Sequence, residues 1–234
     1  MFKLLAVFAA ALVLAYISEQ NTKAAIAAGH RYCVWRDWAY VLLVIVLTLF
    51  AGLRTGYNDT WNYMSSFHSV PVLTEGRADV DSYNIFKNPL YYFLQSALRS
   101  VTDNPQWLIF LTSFITQALF VLFFKRYSRD FCFSIFIYFT LGTFTFTLAA
   151  LKQVTAMAVL TLAFPYLEKK KWGPYFLIVF VAMLVHTYAF AFAVLPLAPN
   201  VMSDLNLIAS LQNIPAERRC SPFGFMIVIL SLTI

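Results

Sequence analysis

Sixteen consecutive residues, "WAYVLLVIVLTLFAGL" (38–53), carry no charge at all. Comparable apolar runs occur at 2–18, 106–124, 131–146, 147–167, 174–197 and 223–234. Lipid offers no partner to unpaired backbone groups, so runs of this kind must be helices. A membrane β-barrel would alternate apolar and polar residues, and these runs do not. Composition points the same way. Only 12% of the residues are charged and 61% are hydrophobic, whereas a soluble domain has roughly 25% charged residues. The expectation is an all-α, polytopic transmembrane helical bundle of about seven hydrophobic segments, forming a single transmembrane domain over 1–234.

The net charge of +6 need not imply nucleic acid, because short cytoplasmic loops of membrane proteins collect Lys and Arg. Cys33, Cys132 and Cys220 lie far apart. Their spacing suggests neither a disulfide framework nor a zinc site. There is no Gly-rich phosphate loop, CxxC or HExxH, so no metal or cofactor is expected. The N-terminus "MFKLLAVFAAALVLAYIS" is long for the apolar part of a signal peptide and reads as a retained first helix. The run 223–234 falls short of the roughly 20 residues needed to span, so a C-terminal truncation or an incomplete last helix is expected.

The segment 131–167 is too long for one helix and has to fold back. "LGTFTFT" is the place, since Gly142 and the β-branched threonines weaken helix there. The segment 89–101 is too short to cross a bilayer. Pro89 suits a helix start, and Tyr91, Tyr92 and Arg99 suit an interface. A helix lying on the membrane within a long loop, 54–105, is expected. Orientation follows from charge. Loops 19–37, 125–130 and 168–173 hold nine Lys and Arg in 31 residues, and the opposite loops, 54–105 and 198–222, hold six in 77. The first set is assigned to the cytoplasm, which leaves the N-terminus and 54–105 outside. Lys3, Arg218 and Arg219 run against this scheme. The alternative has 89–101 spanning and the N-terminal half inverted.

Four polar groups then gather on the outer side. Arg54 and Asp59 open the long loop. Lys152 lies just inside the helix expected from 147. His186 lies twelve residues into the run from Pro174, roughly 18 Å up at about 1.5 Å per residue. Each has a bland reading. Arg54 anchors a helix end, Asp59 makes an Asx turn, Lys152 snorkels to headgroups, and His186 packs between helices. Each also has a sharper one. Lys152 near a helix N-terminus makes a phosphate site, and His186 beside a hydroxyl makes a base. Together they suit an anionic, polyhydroxylated substrate, with Tyr57, Trp61 and Tyr63 as surfaces on which sugar rings stack.

The ordered blocks "RTGYNDTWNYMSSF", "NPLYYFLQSAL", "NPQWLIFLTSFITQALFVLFFKRYSRDFCFSIFIYFTLGTFTFTLAALKQVTAMAVL" and "MLVHTYAFAFAVLPL" resemble the EpsG family over roughly 38–200. The resemblance implies a bacterial, multi-pass protein of the cytoplasmic membrane with a GT-C/Wzy-like bundle, from an exopolysaccharide or capsule operon. The implied activity is that of a glycosyltransferase polymerase joining undecaprenyl-diphosphate-linked oligosaccharide repeat units at the outer face. Other polysaccharide assembly proteins and membrane lipid are the implied partners. The family's "DT..Y" block falls here on Asp59, Thr60 and Tyr63, its mid-helix histidine on His186, and its Arg-Gln pair on Lys152 and Gln153. Lysine in place of arginine is a departure, because a point charge replaces a planar fork. The chemistry needs cations for the departing diphosphate, for which Arg54 and Lys152 stand. It also needs a base for the acceptor hydroxyl, for which Asp59 or His186 stands. Two other readings stay open: a transporter or flippase of lipid-linked sugars, and a non-catalytic scaffold.

Overall fold

The computed structural model describes residues 2–72 and 87–197. The run 223–234, the loop 198–222 with Cys220, and 73–86 of the long loop lie outside the described residues. Within them every regular element is helical. In chain order these are α1 (Phe2–Ala27), α2 (Trp38–Gly52), α3 (Thr60–Ser69), α4 (Pro89–Arg99), α5 (Gln106–Tyr127), α6 (Phe131–Thr140), α7 (Thr143–Ala149), α8 (Leu151–Leu160), α9 (Phe164–Glu168) and α10 (Trp172–Val185). Three 3₁₀ stretches, Val34–Arg36, Thr161–Ala163 and Thr187–Leu197, complete the described fold. Two helices, α1 and α5, are long and apolar enough to cross a membrane. The bent pair α6–α7 makes a third candidate if it is one span. The helix α2 with 15 residues and α10 with 14 are apolar but shorter. Large hydrophobic side chains such as Leu42, Ile45 and Leu49 on α2, and Leu177 and Phe180 on α10, face outward. This is the surface of an all-helical membrane protein.

The helices depart from the apolar runs in three places. The first, α1, continues from residue 18 to Ala27, so the expected loop 19–37 is half helical. Its polar continuation keeps good helix formers, joins Lys23 to Glu19 one turn apart at 2.6 Å, and meets no breaker before Gly29, whose φ of +70° is the left-handed conformation glycine tolerates. The second departure is 147–167. Near Gly142 (φ +75°) the helix breaks where expected, but as a 56° bend between α6 and α7 and not as a turn back on itself. A further break at Ala150 (φ −108°, ψ 68°) means that the helix bearing Lys152 starts at Leu151, not 147. The third is 174–197, which is no single span. Its helix ends at Val185, and His186 is extended (φ −152°, ψ 121°). The following 3₁₀ stretch packs against α10 and α8. The Tyr175 hydroxyl donates to the Phe192 carbonyl at 2.6 Å, which fastens the stretch back along α10. His186 therefore stands at a reversal and not mid-helix. The interfacial segment does form a helix, α4, with Asn88 as N-cap and Pro89 in its first turn. Its 11 residues are too short to span, and it packs on α10, α3 and α5.

The helix α5 is the centre of the bundle, packed against α2, α6 and α8. Polar pairs link it to its neighbours inside an otherwise apolar core. Gln117 donates to Thr147 at 3.0 Å and accepts from the Tyr138 hydroxyl at 3.0 Å. Thr116 and Thr155 share a hydrogen bond at 3.2 Å. Such bonds matter in lipid, where burying apolar surface between helices gains little.

At the Lys125 end a charged group is fully enclosed. Asp37 caps α2 through the Ala39 N–H at 3.2 Å. It also accepts from Ser18 at 2.6 Å, Tyr32 at 2.6 Å and Asn21 at 2.8 Å. The Lys125 ammonium lies 3.9 Å from the same carboxylate and donates to the Ser18 carbonyl at 2.9 Å. Burial alone would raise the Asp37 carboxyl. The hydrogen bonds from Ser18, Tyr32 and Asn21, with the charge of Lys125, outweigh burial and hold it below the usual range.

Two predictions follow from this architecture. Single cysteines at exposed Ser65 and Lys169 of a Cys-free variant should be labelled by an impermeant thiol reagent on intact cells at Ser65 only. The opposite pattern would invert the charge-based orientation. Asp37→Asn places an amide against four donors and leaves Lys125 facing no anion. Breaking a buried pair costs about 3–5 kcal/mol, so the thermal midpoint in neutral detergent should fall sharply. The folded carboxyl sits below its unfolded value of about 3.9. Its contribution is thus complete above that pH and lost as pH falls through the folded value. Wild type should show this acid loss, and Asp37→Asn should lack it.

Candidate functional site

The other end of the bundle is built around Arg54. The helix α2 stops just before it, and Gly52 makes the stop possible. A Cβ at Gly52 would meet the backbone Cα of Phe110 on α5 at 3.0 Å and the Phe110 ring at 2.8 Å, so only glycine permits this approach. Gln106, the first residue of α5, then clamps the turn. Its amide donates to the Gly52 carbonyl at 2.5 Å and to the Arg54 carbonyl at 3.1 Å.

The Arg54 side chain folds back into the protein. Its Nε donates to Thr60 Oγ1 at 3.1 Å. Its Nη1 donates to Ser113 Oγ at 3.2 Å and to the Ala51 carbonyl. Thr60, wholly buried, donates its own proton to the Tyr57 carbonyl at 2.7 Å. This tightens the turn in which Asn58 adopts φ +47°, a conformation asparagine tolerates. Arg54 thus anchors its own turn, as the bland reading held, but it does more. Its Nη2 is buried with no partner. Burial pulls the guanidinium down to about 10, and the oxygens of Tyr63 and Tyr91 act against that. It stays protonated at neutral pH.

The turn launches α3, whose Tyr63 and Met64 pack on a small core made by Phe67, Tyr91, Leu108, Ile109 and Leu151. Tyr63 and Tyr91 meet edge to face, 6.4 Å apart at 64°. Lys152, the second residue of α8, reaches over both rings. Its Nζ lies 4.8 Å from the Tyr91 centroid and 5.9 Å from that of Tyr63. No side chain caps α8. Burial raises the Tyr63 phenol, and the backbone N–H groups of Lys152 and Leu151 facing it draw it back. Tyr91, fully enclosed, is raised well above the ordinary phenol range by burial. Both tyrosines are therefore neutral at physiological pH. They present π-faces and hydroxyls, not charge.

Among the described residues, neither Arg54 nor Lys152 has a carboxylate partner. Asp59 does not supply one. It occupies the N-cap position of α3 without capping it through its side chain and is exposed. Its one side-chain contact is a 3.5 Å bond from Asn62. Asp59 does remain close enough to act electrostatically on Tyr63. Tyr57 and Trp61 are exposed beside it. His186, at the reversal after α10, lies within electrostatic reach of Lys152 and Lys87, and its Nδ1 is buried without a partner. It stacks edge-on against Tyr188 at 5.1 Å. With Gln153, Met157 and Phe192 it lines a small recess of about 10 Å³, barely the volume of one water. Arg54, Asp59 and Lys152 do not line that cavity. The structure therefore joins Arg54, Thr60, Tyr63 and Lys152, sets His186 and Gln153 behind Lys152, and leaves Asp59, Tyr57 and Trp61 at the rim.

The sequence reading missed Tyr91, Ser113, Gln106 and Gln95. Tyr91 and Gln95 are one turn apart on the buried face of α4, and both the Tyr91 hydroxyl and Gln95 Nε2 are buried without a partner. The spacing of Tyr91, Gln95 and Ser96 was the available signal that this helix buries one polar face.

A family model described as the EpsG family matches residues 37–232. The chain belongs to the EpsG family. No curated protein and no solved structure matches it. The EpsG match spans every residue of the site above. It leaves all of α1 and the loop 28–36 outside.

Because Gly52 sets the α2–α5 distance, Gly52→Ala should destabilise the protein by about 1–3 kcal/mol, the usual range for overpacking. The readout is the unfolding midpoint in detergent. Adding Phe110→Ala should recover only part of the loss, since the ring is removed but the Phe110 backbone remains.

Proposed function

We propose that the chain is a polymerase of exopolysaccharide biosynthesis that acts on undecaprenyl-diphosphate-linked oligosaccharides at the outer face of the cytoplasmic membrane. The observation that carries this reading is the Arg54–Lys152 pair. Two cations share one pair of neutral tyrosines, no carboxylate among the described residues answers either, and one guanidinium nitrogen is buried and unpartnered. Charges held this way call for an anion from outside the protein. Membership in the EpsG family supports a glycan diphosphate as that anion.

In the reaction, the bond between the anomeric carbon of the growing glycan and its lipid diphosphate breaks. The acceptor hydroxyl of the next lipid-linked unit forms the new glycosidic bond. The diphosphate leaves with additional negative charge, which Arg54 and Lys152 balance, helped by the N–H groups that open α8. The acceptor's proton passes to a base. Asp59 at the rim and the unpartnered Nδ1 of His186 are the two groups suited to take it. Tyr57 and Trp61, exposed above the cations, offer flat faces to sugar rings. The expected GT-C/Wzy-like arrangement of seven spans, and the outside placement of 54–105, belong to this proposal.

Lys152 provides the test. A snorkelling lysine would tolerate methionine, but this ammonium turns inward over Tyr91. A charge-assisted contact contributes about 1.5–3 kcal/mol, so Lys152→Met should cut polymer output roughly tenfold or more. Lys152→Arg should retain it, because arginine holds phosphate well. The measurement is the chain length of surface polysaccharide in a complemented deletion strain, with protein level checked by immunoblot. Single lipid-linked units should accumulate outside the cell. Accumulation inside would favour the flippase reading, and full-length polymer from the Met variant would end the diphosphate role.

A further inference from the structure

A second cationic feature lies at the Lys125 end, far along the bundle from Arg54 and mostly N-terminal to the span that the family model matches. A cavity of about 660 Å³ opens between the last turns of α1 and the start of α2, lined by His30, Arg31, Tyr32, Arg36, Asp37 and Trp38 among others. Its size lies within the roughly 300–1,000 Å³ of small-molecule sites. Gly29 ends α1 at φ +70° and turns the chain back. The 3₁₀ stretch Val34–Arg36 then brings the second arginine to the same opening.

The charge balance inside this cavity is one-sided. Its one lining carboxylate, Asp37, is already saturated. One oxygen accepts from Asn21 and the Ala39 N–H, the other accepts from Ser18 and Tyr32, and Lys125 stands behind. Asp37 is also buried, so it can neutralise neither Arg31 nor Arg36. Among the described residues the two guanidiniums have no hydrogen-bond or ion-pair partner. Two cations face a walled opening whose floor is electrically closed.

The surroundings say which anion comes. Trp35 is 68% exposed and Trp38 59% exposed. They flank Arg36 in the sequence, and Trp38 opens the apolar helix α2. Exposed tryptophans at the ends of apolar helices sit at headgroup depth. A basic pocket at that depth selects anionic lipid headgroups, and guanidinium forks match phosphate oxygens two at a time.

We propose that this cavity is a binding site for the phosphate of an anionic phospholipid headgroup, with Arg31 and Arg36 as its ligands and Tyr32 and Trp38 as its walls. The site is independent of the Arg54–Lys152 pair. Its occupant is a lipid of the bilayer, drawn from the leaflet at the Lys125 end, and not the lipid-linked glycan.

The experiment uses the purified full chain in neutral detergent micelles. Phosphatidylglycerol is titrated against phosphatidylcholine, with retained lipid counted by native mass spectrometry. Phosphatidylglycerol should bind and phosphatidylcholine should not. Each basic residue at a membrane surface contributes about 1 kcal/mol, so R31Q/R36Q should bind roughly thirtyfold more weakly. R31K/R36K keeps the charge and loses only the fork, so it should retain most of the affinity and guards against a folding defect in the Gln variant. K169Q/K170Q/K171Q removes three positive charges from the same end of the bundle and should bind like wild type. An equal loss in that variant would show diffuse surface attraction and overturn the site, as would wild-type binding by R31Q/R36Q. Displacement of the lipid by millimolar inorganic phosphate would identify free phosphate as the ligand and overturn the lipid assignment. Lys152→Met should bind phosphatidylglycerol normally, so failure here and failure of the polymerase reading are separable.

Discussion

A polar row on the apolar helix α5 holds both ends of this molecule. Ser113 meets Arg54, Thr116 meets Thr155, Gln117 meets Thr147 and Tyr138, and Lys125 meets Ser18 and Asp37. In lipid, apolar side chains gain little by leaving lipid for one another. Helix positions must come from close backbone approach and from hydrogen bonds that have no better partner. The molecule uses both on one helix. Gly52 admits α2 to contact with Phe110, and Gln106 ties the end of α2 to the start of α5. Arg54 is placed by these contacts and not by its own reach.

The two ends of α5 treat charge in opposite ways. At Lys125 the cation is enclosed by a carboxylate, a carbonyl and a hydroxyl, and the rings of Tyr32 and Phe131 lie 5.1 and 4.6 Å away. Every nearby donor on Asp37 is matched. That end is a lock, and its energy is spent on geometry. At Arg54 the cations face tyrosine rings and hydroxyls. Arg54 Nη2 is buried there without a partner, as are the Tyr91 hydroxyl and, one turn along α4, Gln95 Nε2, whereas at the Lys125 end the Tyr40 hydroxyl is the unpartnered group. Native interiors leave few such atoms unpaired, and a cluster of them asks for an explanation. A bound anion would answer most of these donors at once.

Much of this was legible in the chain. Apolar runs placed α2, α5 and α6, Pro89 placed the start of α4, and Gly142 marked a bend. The charge-based topology and the rise per residue put Lys152 and His186 on the same side as Arg54 and Asp59. What stayed hidden depends on partners distant in sequence. Ser18 finds Asp37 across 19 residues, and Lys125 finds Ser18 across 107, so no local pattern announces the lock. His186 looked mid-helix because "MLVHTYAFAF" is apolar throughout. Only the Tyr175 hydrogen bond to the Phe192 carbonyl shows that the chain doubles back. Arg54 and Asp59 both open the long loop in the sequence, with nothing local to say which neighbour the guanidinium takes. Thr60 fills that place, and Asp59 turns outward.

The tyrosines explain how a lysine can stand where the family pattern has arginine. Paired with a carboxylate, Lys152 would be neutralised and of little use to an incoming anion. Over a ring it is held by the quadrupole alone, an attraction of about 0.5–2 kcal/mol. All three of its N–H donors stay available. The compact ammonium at 4.8 Å from Tyr91 also leaves room beside the start of α8, where the Leu151 and Lys152 N–H groups face the Tyr63 oxygen and which a guanidinium plane stacked on the same ring would partly cover. In the reaction proposed above, the planar, bidentate part of anion recognition would fall to Arg54, whose Nη2 is buried without a partner. The pair would then divide the work: Arg54 would supply direction, and Lys152 charge that can follow a leaving group as it moves.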